Sequence, residues 1–229
     1  MKILFLLPFL LAYQGPRCEA ASASDDILMG SVVKSDKWTM DRKNNLEYFD
    51  GAVSFKNPRY LMRSDHAVYN HSSKLWNIYG AAYILRKSTD SSTVEINCER
   101  GKYFEAEQLA FLERGNRQIR MKYHSPDKKE LHGLADKAKA EGVPGLMSFE
   151  GNFSLATDNF YMLSQKSIYR DAEKSFLMYE STPVAVGTRE GYDFAVTAEK
   201  LKFFRDSRDI KFYNNVSGWV KDVPAKARE

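Results

Sequence analysis

The sequence predicts an all-β protein assembled from repeated strand units, on three observations. A segment recurs at an offset of 29 residues: Ser35-Asp36-Lys37-Trp38-Thr39-Met40 aligns with Ser64-Asp65-His66-Ala67-Val68-Tyr69. Each copy is followed, 11 residues after its last member, by a glycine, Gly51 and Gly80. The chain between anchor and glycine has a period of two, as in Leu75, Asn77, Tyr79 and in Leu109, Phe111, Glu113. Period-two patterning rich in aromatic and β-branched residues marks half-buried strands, whereas a helix repeats its apolar positions near every 3.6 residues. Short polar stretches, among them Asn70-His71-Ser72-Ser73, Arg170-Asp171-Ala172-Glu173 and Arg205-Asp206-Ser207-Arg208-Asp209, supply connections of hairpin length.

The chain begins with Met1-Lys2 and an apolar run from Ile3 through Tyr13, interrupted by Gln14-Gly15-Pro16-Arg17. That run has the length of a secretory h-region and falls short of the ~20 residues of a membrane-spanning helix. Cys18-Glu19-Ala20 places small residues at the −3 and −1 positions of a signal-peptidase cut, and Ala21-Ser22-Ala23 offers a second cut. A lipid-modified Cys18 fits poorly with Arg17 directly before it. The expected organisation is a signal peptide over residues 1–20, with cleavage as late as 23, a single domain over 31–220 and a tail over 221–229.

After the two aligned copies, a third has Tyr103, then Leu109 and Phe111, and reaches Gly115 after one extra residue. The fourth, Ala135-Asp136-Lys137-Ala138-Lys139-Ala140 with Gly151 following, reads as a strand by its alignment with the Asp65 copy. Tyr169 with Leu177 and Tyr179 makes the fifth; Phe204 with Ile210 and Phe212 makes the sixth, reaching Asn215-Val216 in place of glycine. The anchors Met40, Tyr69, Tyr103, Ala140, Tyr169 and Phe204 are spaced by 29, 34, 37, 29 and 35 residues. Stacked units of this size build an elongated interior, and the terminal units leave open strand edges that are capped or dock another sheet.

Composition narrows the function. With 43% apolar and 13% aromatic residues the chain is neither disordered nor fibrous. Loss of residues 1–20 removes Lys2, Arg17 and Glu19, so the charge falls from +4 to +3, too mild to define a ligand. It also removes Cys18, which leaves Cys98 without a disulfide partner and marks it as a small packed residue. The sequence lacks G-x-S-x-G, H-E-x-x-H and C-x-x-C, and His66, His71, His124 and His132 have no metal-ligand spacing. A binding protein is therefore expected, not an enzyme, with no cofactor or metal. Basic runs do not exceed two residues, as at Lys128-Lys129, so nucleic acid is not an expected partner.

The copies resemble the OstA-like repeats of lipopolysaccharide-transport proteins, the LptA/LptC family and the N-terminal domain of LptD. The residues that carry the resemblance are Tyr48-Phe49-Asp50-Gly51-Ala52-Val53-Ser54-Phe55, Leu61-Met62-Arg63-Ser64-Asp65-His66-Ala67-Val68-Tyr69 and Leu75 to Gly80. Phe149-Glu150-Gly151-Asn152-Phe153-Ser154-Leu155 repeats the first element and Ser167-Ile168-Tyr169 the second, so the resemblance covers about residues 31–220. It implies an antiparallel β-jellyroll folded like a taco, open along one side, that holds lipopolysaccharide acyl chains in the periplasm. It also implies edge-strand pairing with LptC-like and LptD-like jellyrolls, or with further copies of the chain. The short h-region favours a soluble LptA-like bridge. The alternatives are an LptC-like inner-membrane component and a lipid-free exported scaffold or adhesive protein.

Candidate groove residues on the alternating strands are Val53, Phe55, Leu75, Ile84, Val94, Ile96, Leu109, Phe111, Ile119, Met121, Phe153, Leu155, Phe194 and Val196. Candidate contacts to the phosphates of a lipopolysaccharide or related acylated glycolipid are Arg63, Arg86, Lys87 and Arg114. The repeat degrades over residues 116–146, which leaves open whether the groove is continuous there or whether a loop or insertion covers it.

Overall fold

The computed structural model describes residues 32–88, 90–142 and 145–222. The signal-peptide reading of residues 1–20 lies outside the described residues, as does the tail beyond 222. Among the described residues the chain runs through strands β1 (Val32–Lys34), β2 (Lys37–Asp41), β3 (Leu46–Lys56), β4 (Tyr60–Asn70), β5 (Leu75–Lys87) and β6 (Thr93–Phe104). It continues through β7 (Leu109–Glu113), β8 (Ile119–His124), β9 (Glu130–Ala135), β10 (Lys137–Glu141), β11 (Leu146–Ala156) and β12 (Phe160–Arg170). It ends with β13 (Ser175–Tyr179), β14 (Val184–Arg189), β15 (Tyr192–Thr197), β16 (Lys200–Phe204), β17 (Ile210–Tyr213) and β18 (Ser217–Asp222). Every pairing is antiparallel, so the all-β antiparallel class read from the sequence is the fold observed.

The strands form two facing leaves. The first leaf orders β2, the start of β3, the end of β4, the start of β5, the end of β6, then β7, β10, the start of β11, the end of β12, β13, β16 and β17. The second orders β1, the end of β3, the start of β4, the end of β5, the start of β6, then β8, β9, the end of β11, the start of β12, β14, β15 and β18. Long strands belong to both leaves, and each bends once to pass from one to the other. The hinge line is a row of β-bulges, at Gly51-Ala52 opposite Asp65, at Gly80-Ala81 and at Gly151-Asn152. A bulge adds one residue on one strand and bends it, which is how a sheet turns a corner without losing its ladder.

The repeat found in the sequence is the repeat of these corners. Gly51, Gly80 and Gly151 have φ of +73°, +71° and +77°, the left-handed region open to glycine. In the fifth copy Glu180 takes the same place with φ +64°, and in the sixth Asn214 with φ +60°. An acidic residue lies over each glycine: Asp36, from the bend before β2, on Gly51, Asp65 of β4 on Gly80, and Asp136, from the bend before β10, on Gly151. Repetition of the acids thus reflects packing at the hinge.

The anchors also fall into register. Met40, Glu47, Tyr69, Trp76, Tyr103, Ala110, Ala140, Met147, Tyr169, Phe176, Phe203 and Ile210 are successive cross-strand neighbours along the inner face of the first leaf. One anchor is corrected: Phe203, not Phe204, occupies the sixth place, because Phe203 pairs with Phe176 and Ile210 and the corner at Asn214 follows it by the same 11 residues. Over the described residues of 116–146, where the sequence left the question open, the sheet continues. β8, β9 and β10 continue both leaves there without an interruption, since the Lys-rich outward positions hide an ordinary inward row of Ile119, Met121, Leu131, Ala135 and Ala138.

Candidate functional site

The facing row of the second leaf runs Val33, Phe55, Met62, Ile84, Ile96, Met121, Gly133, Leu155, Met162, Ala185, Val196, Gly218. Aromatic rings close the space between leaves in two clusters. Phe49 and Trp76 of the first leaf meet Phe55 of the second at centroid distances of 6.3 and 4.6 Å. In the second cluster Phe149 and Phe176 meet Phe153 at 4.9 and 6.2 Å, and Phe203 meets Phe160 at 5.7 Å. Both leaves therefore contribute to one apolar seam, which begins at β1 and β2 and ends at β17 and β18.

Of the candidate groove residues, Val53, Phe55, Ile96, Ile119, Met121, Phe153 and Leu155 are buried in this seam. Ile84, Val94 and Phe194 are half-buried and pack against it, and Val196 joins them on the inner face beside Ala185. Leu75, Leu109 and Phe111 are placed elsewhere. They alternate with buried Trp76 and Leu112 and so stand on the outer face of the first leaf, where Phe111 meets Phe104 at 6.0 Å. Alternation shows that a strand has two faces without saying which is inside, and in these two strands the apolar outer residues are as regular as the inner ones.

Opposite the hinge, the free rims of the leaves define a mouth. It is bridged by the loop between β16 and β17. Arg205 donates to the Tyr169 hydroxyl of the first leaf at 3.1 Å, and its guanidinium lies 4.5 Å from the ring centroid of Tyr123 in the second. Arg208 donates to the Glu130 carbonyl at 3.3 Å, and Arg189 clasps the loop from the other rim through Asp209 at 3.0 Å. Burial works against the charge of Arg205, but the Asp206 carboxylate and the two tyrosine rings offset it and its pKa rises. Burial lowers that of Arg208. A small cavity of about 190 Å³ lies under the loop, lined by Tyr123, Ser125, Lys129 and these arginines among others. In sequence, 205–209 has the look of a turn alone; its alternating basic and acidic residues are the signal for the bridge.

The candidate phosphate contacts do not converge. Arg86 stands at the mouth, in the row of Tyr60 and Val94, and Lys87 is at the adjoining rim. Arg63 projects from the outer face of the second leaf, and Arg114 sits at the hinge, bonded to Asp136 at 2.8 Å. Their spread follows from the bend, which sends positions close in sequence to opposite sides.

Cys98 is buried beside Ala82 near the hinge, and burial pushes its thiol up to about 12. Because the thiolate is the reactive species, a Cys18→Ser chain is expected to react with a disulfide reagent at least a hundred-fold more slowly when folded than in denaturant. A stopped-flow absorbance measurement checks this, and equal rates would place Cys98 at the surface.

These features define an antiparallel two-leaved β-jellyroll with an apolar seam, a bridged mouth and open end strands. No family model matches the chain, and no curated protein does. Among solved structures, it is similar to the crystal structure of LptH from Pseudomonas aeruginosa, titled the LptA-homologous periplasmic component of that organism's lipopolysaccharide transport device. The likeness spans 83% of this chain and 94% of that one, at 9% identity and a TM-score of 0.23. At that level it assigns no function here.

Proposed function

We propose that the chain is an exported lipid-binding transport protein whose seam holds acyl chains of lipopolysaccharide or a related acylated glycolipid in the periplasm. The observation that supports this best is an apolar seam that ends, on both sides, at strands with one free edge. There Val33, Trp38 and Met40 at one end and Val220 at the other are 39%, 58%, 42% and 65% exposed. A seam of this kind accepts an acyl chain at ~0.8 kcal/mol per buried methylene, and open edges let one jellyroll continue into the next by strand pairing. Such a partner is an LptC-like or LptD-like jellyroll or a second copy. Loading requires the rims to part, so the Arg205 and Arg208 bridge is the contact that must release.

A second reading, a lipid-free scaffold stacked edge to edge, is favoured by the filling of the seam: Phe153, Leu155, Met162, Met178, Leu201 and Phe203 are all fully buried by one another. Photo-crosslinkers at Phe55 and Leu155 separate the readings, with outward Phe111 as the control. Transport predicts acylated lipid on the two inward positions and co-purified lipid by mass spectrometry. Protein adducts alone, with no lipid recovered, would replace it with the scaffold. Arg205→Ala combined with Arg208→Ala is expected to speed uptake of a fluorescent fatty acyl probe several-fold, measured by stopped-flow; an unchanged rate would remove the bridge from the loading step.

A further inference from the structure

An antiparallel sheet with one face on the core normally turns a polar face to water. The second leaf breaks this rule at its C-terminal end. Met162 and Ala185 are fully buried inside, yet their outward neighbours are again apolar: Tyr161, Leu163, Val186 and Trp219 are 39%, 41%, 37% and 56% exposed. Register makes them one patch. Tyr161 pairs with Val186, Val186 with Ala195 and Ala195 with Trp219, while Leu163 pairs with Ser154 and Ser154 with Leu134. Exposed apolar patches of this continuity mark sites that something covers.

The chemistry beside the patch selects the cover. Leu134 pairs directly with Arg120, and both line a shallow cleft of about 560 Å³ that also holds Arg114 and Arg117. Arg114 is bound to Asp136, but among the described residues neither Arg117 nor Arg120 has an acidic partner. The carboxylates of this face are already engaged, Glu95 by His124, Glu130 by Lys122 and Asp193 by Thr188. Unpaired guanidinium groups next to a Tyr, Leu, Val and Trp surface match a bilayer interface, where aromatic rings sit at headgroup level and cations meet lipid phosphates.

We propose that the outer face of the second leaf, from the Arg117 and Arg120 cleft to Trp219, docks on a bilayer rich in anionic phospholipid. This surface lies on the side of the leaf away from the seam, so it stands whether or not the seam carries lipid.

Vesicle co-sedimentation of the full chain tests it, with phosphatidylglycerol mixed equally with phosphatidylcholine in one set and phosphatidylcholine alone in the other. The apolar run Ile3 to Tyr13 is present in every protein compared, so the differences between variants decide. Arg117→Gln and Arg120→Gln are expected to weaken binding to the anionic vesicles by about fivefold each, and added salt should do the same. Tyr161→Ser with Leu163→Ser should lower binding at least tenfold while the unfolding midpoint stays in place, because both side chains point outward. Lys102→Gln with Lys139→Gln, on the outer face of the other leaf, should have a smaller effect than either. Binding that is absent in the parent chain, indifferent to the outward variants, or equally sensitive to the Lys102 and Lys139 pair would overturn the proposal.

Discussion

Phe153→Ala is expected to cost about 3–5 kcal/mol of folding stability, the range for truncating a fully buried aromatic ring. Phe153 is 0% exposed and lies in the second leaf, with Phe149 and Phe176 of the first leaf stacked on it. Phe176 reaches Phe203 at 6.3 Å, so the ring is the keystone of the contact between leaves in the C-terminal half. Alanine leaves a void beneath the rings of Phe149 and Phe176. Those rings stand on separate strands of the first leaf, β11 and β13, so the gap cannot close by moving one side chain. Phe111→Ala, on the outer face, should cost less than about 1 kcal/mol. Urea unfolding followed by circular dichroism and, in a Trp38→Phe, Trp219→Phe background, by emission from buried Trp76 measures both. The Trp76 signal belongs to the N-terminal cluster, so a matching shift would show that the clusters unfold together. A Phe153→Ala loss no larger than that of Phe111→Ala would mean that the leaves do not close on this ring.

The repeat was legible because it recurs at the hinge, where geometry restricts residue choice: a left-handed corner wants glycine, and a close-packed neighbour over it must be reached by a short acid. The inner row was legible for the same reason, since each unit meets its neighbour at a fixed place in the ladder. What alternation left ambiguous was the face. On β4, β6 and β12 the inward set changes parity at the corner, from Tyr69 and Ala67 to Ser64 and Met62, and from Tyr103 and Gly101 to Cys98 and Ile96. A period-two reading carried through β6 would put Phe104 inside with Ile96, whereas it stands outside against Phe111. The mouth was hidden for another reason. Arg205 and Arg208 meet Tyr123 and Glu130 across about 80 residues of chain, a separation over which no local pattern reports. The outward patch of Tyr161, Leu163 and Val186 was hidden because outward apolar residues look like core to any reading that assigns one apolar face per strand.

Gly80→Ala is expected to destabilise the fold by about 2–5 kcal/mol, and its cost divides into two parts that can be separated. The backbone part follows from φ of +71°, which charges a side-chain-bearing residue about 1–2 kcal/mol. The packing part follows from Asp65: a Cβ added at Gly80 would press on its carboxylate and lie 2.9 Å from its Cβ. Crowding of that kind costs about 1–3 kcal/mol. Asp65→Gly removes the obstructing side chain and leaves the backbone requirement untouched. In a double-mutant cycle the pair should therefore lose less stability than the sum of the two single changes, by about 1–3 kcal/mol of coupling. Additive losses would show that the acid does not pack on the corner. The same measurement bears on the seam. Gly51, Gly80 and Gly151 set the angle at which both leaves leave the hinge, and a corner forced open by one methyl group spreads the inner rows that Phe55 and Phe153 hold together. A Gly80→Ala chain should for that reason unfold at lower urea and show a red-shifted Trp76 emission while still folded, whereas Lys221→Ala on the exposed end strand should leave Trp76 unmoved.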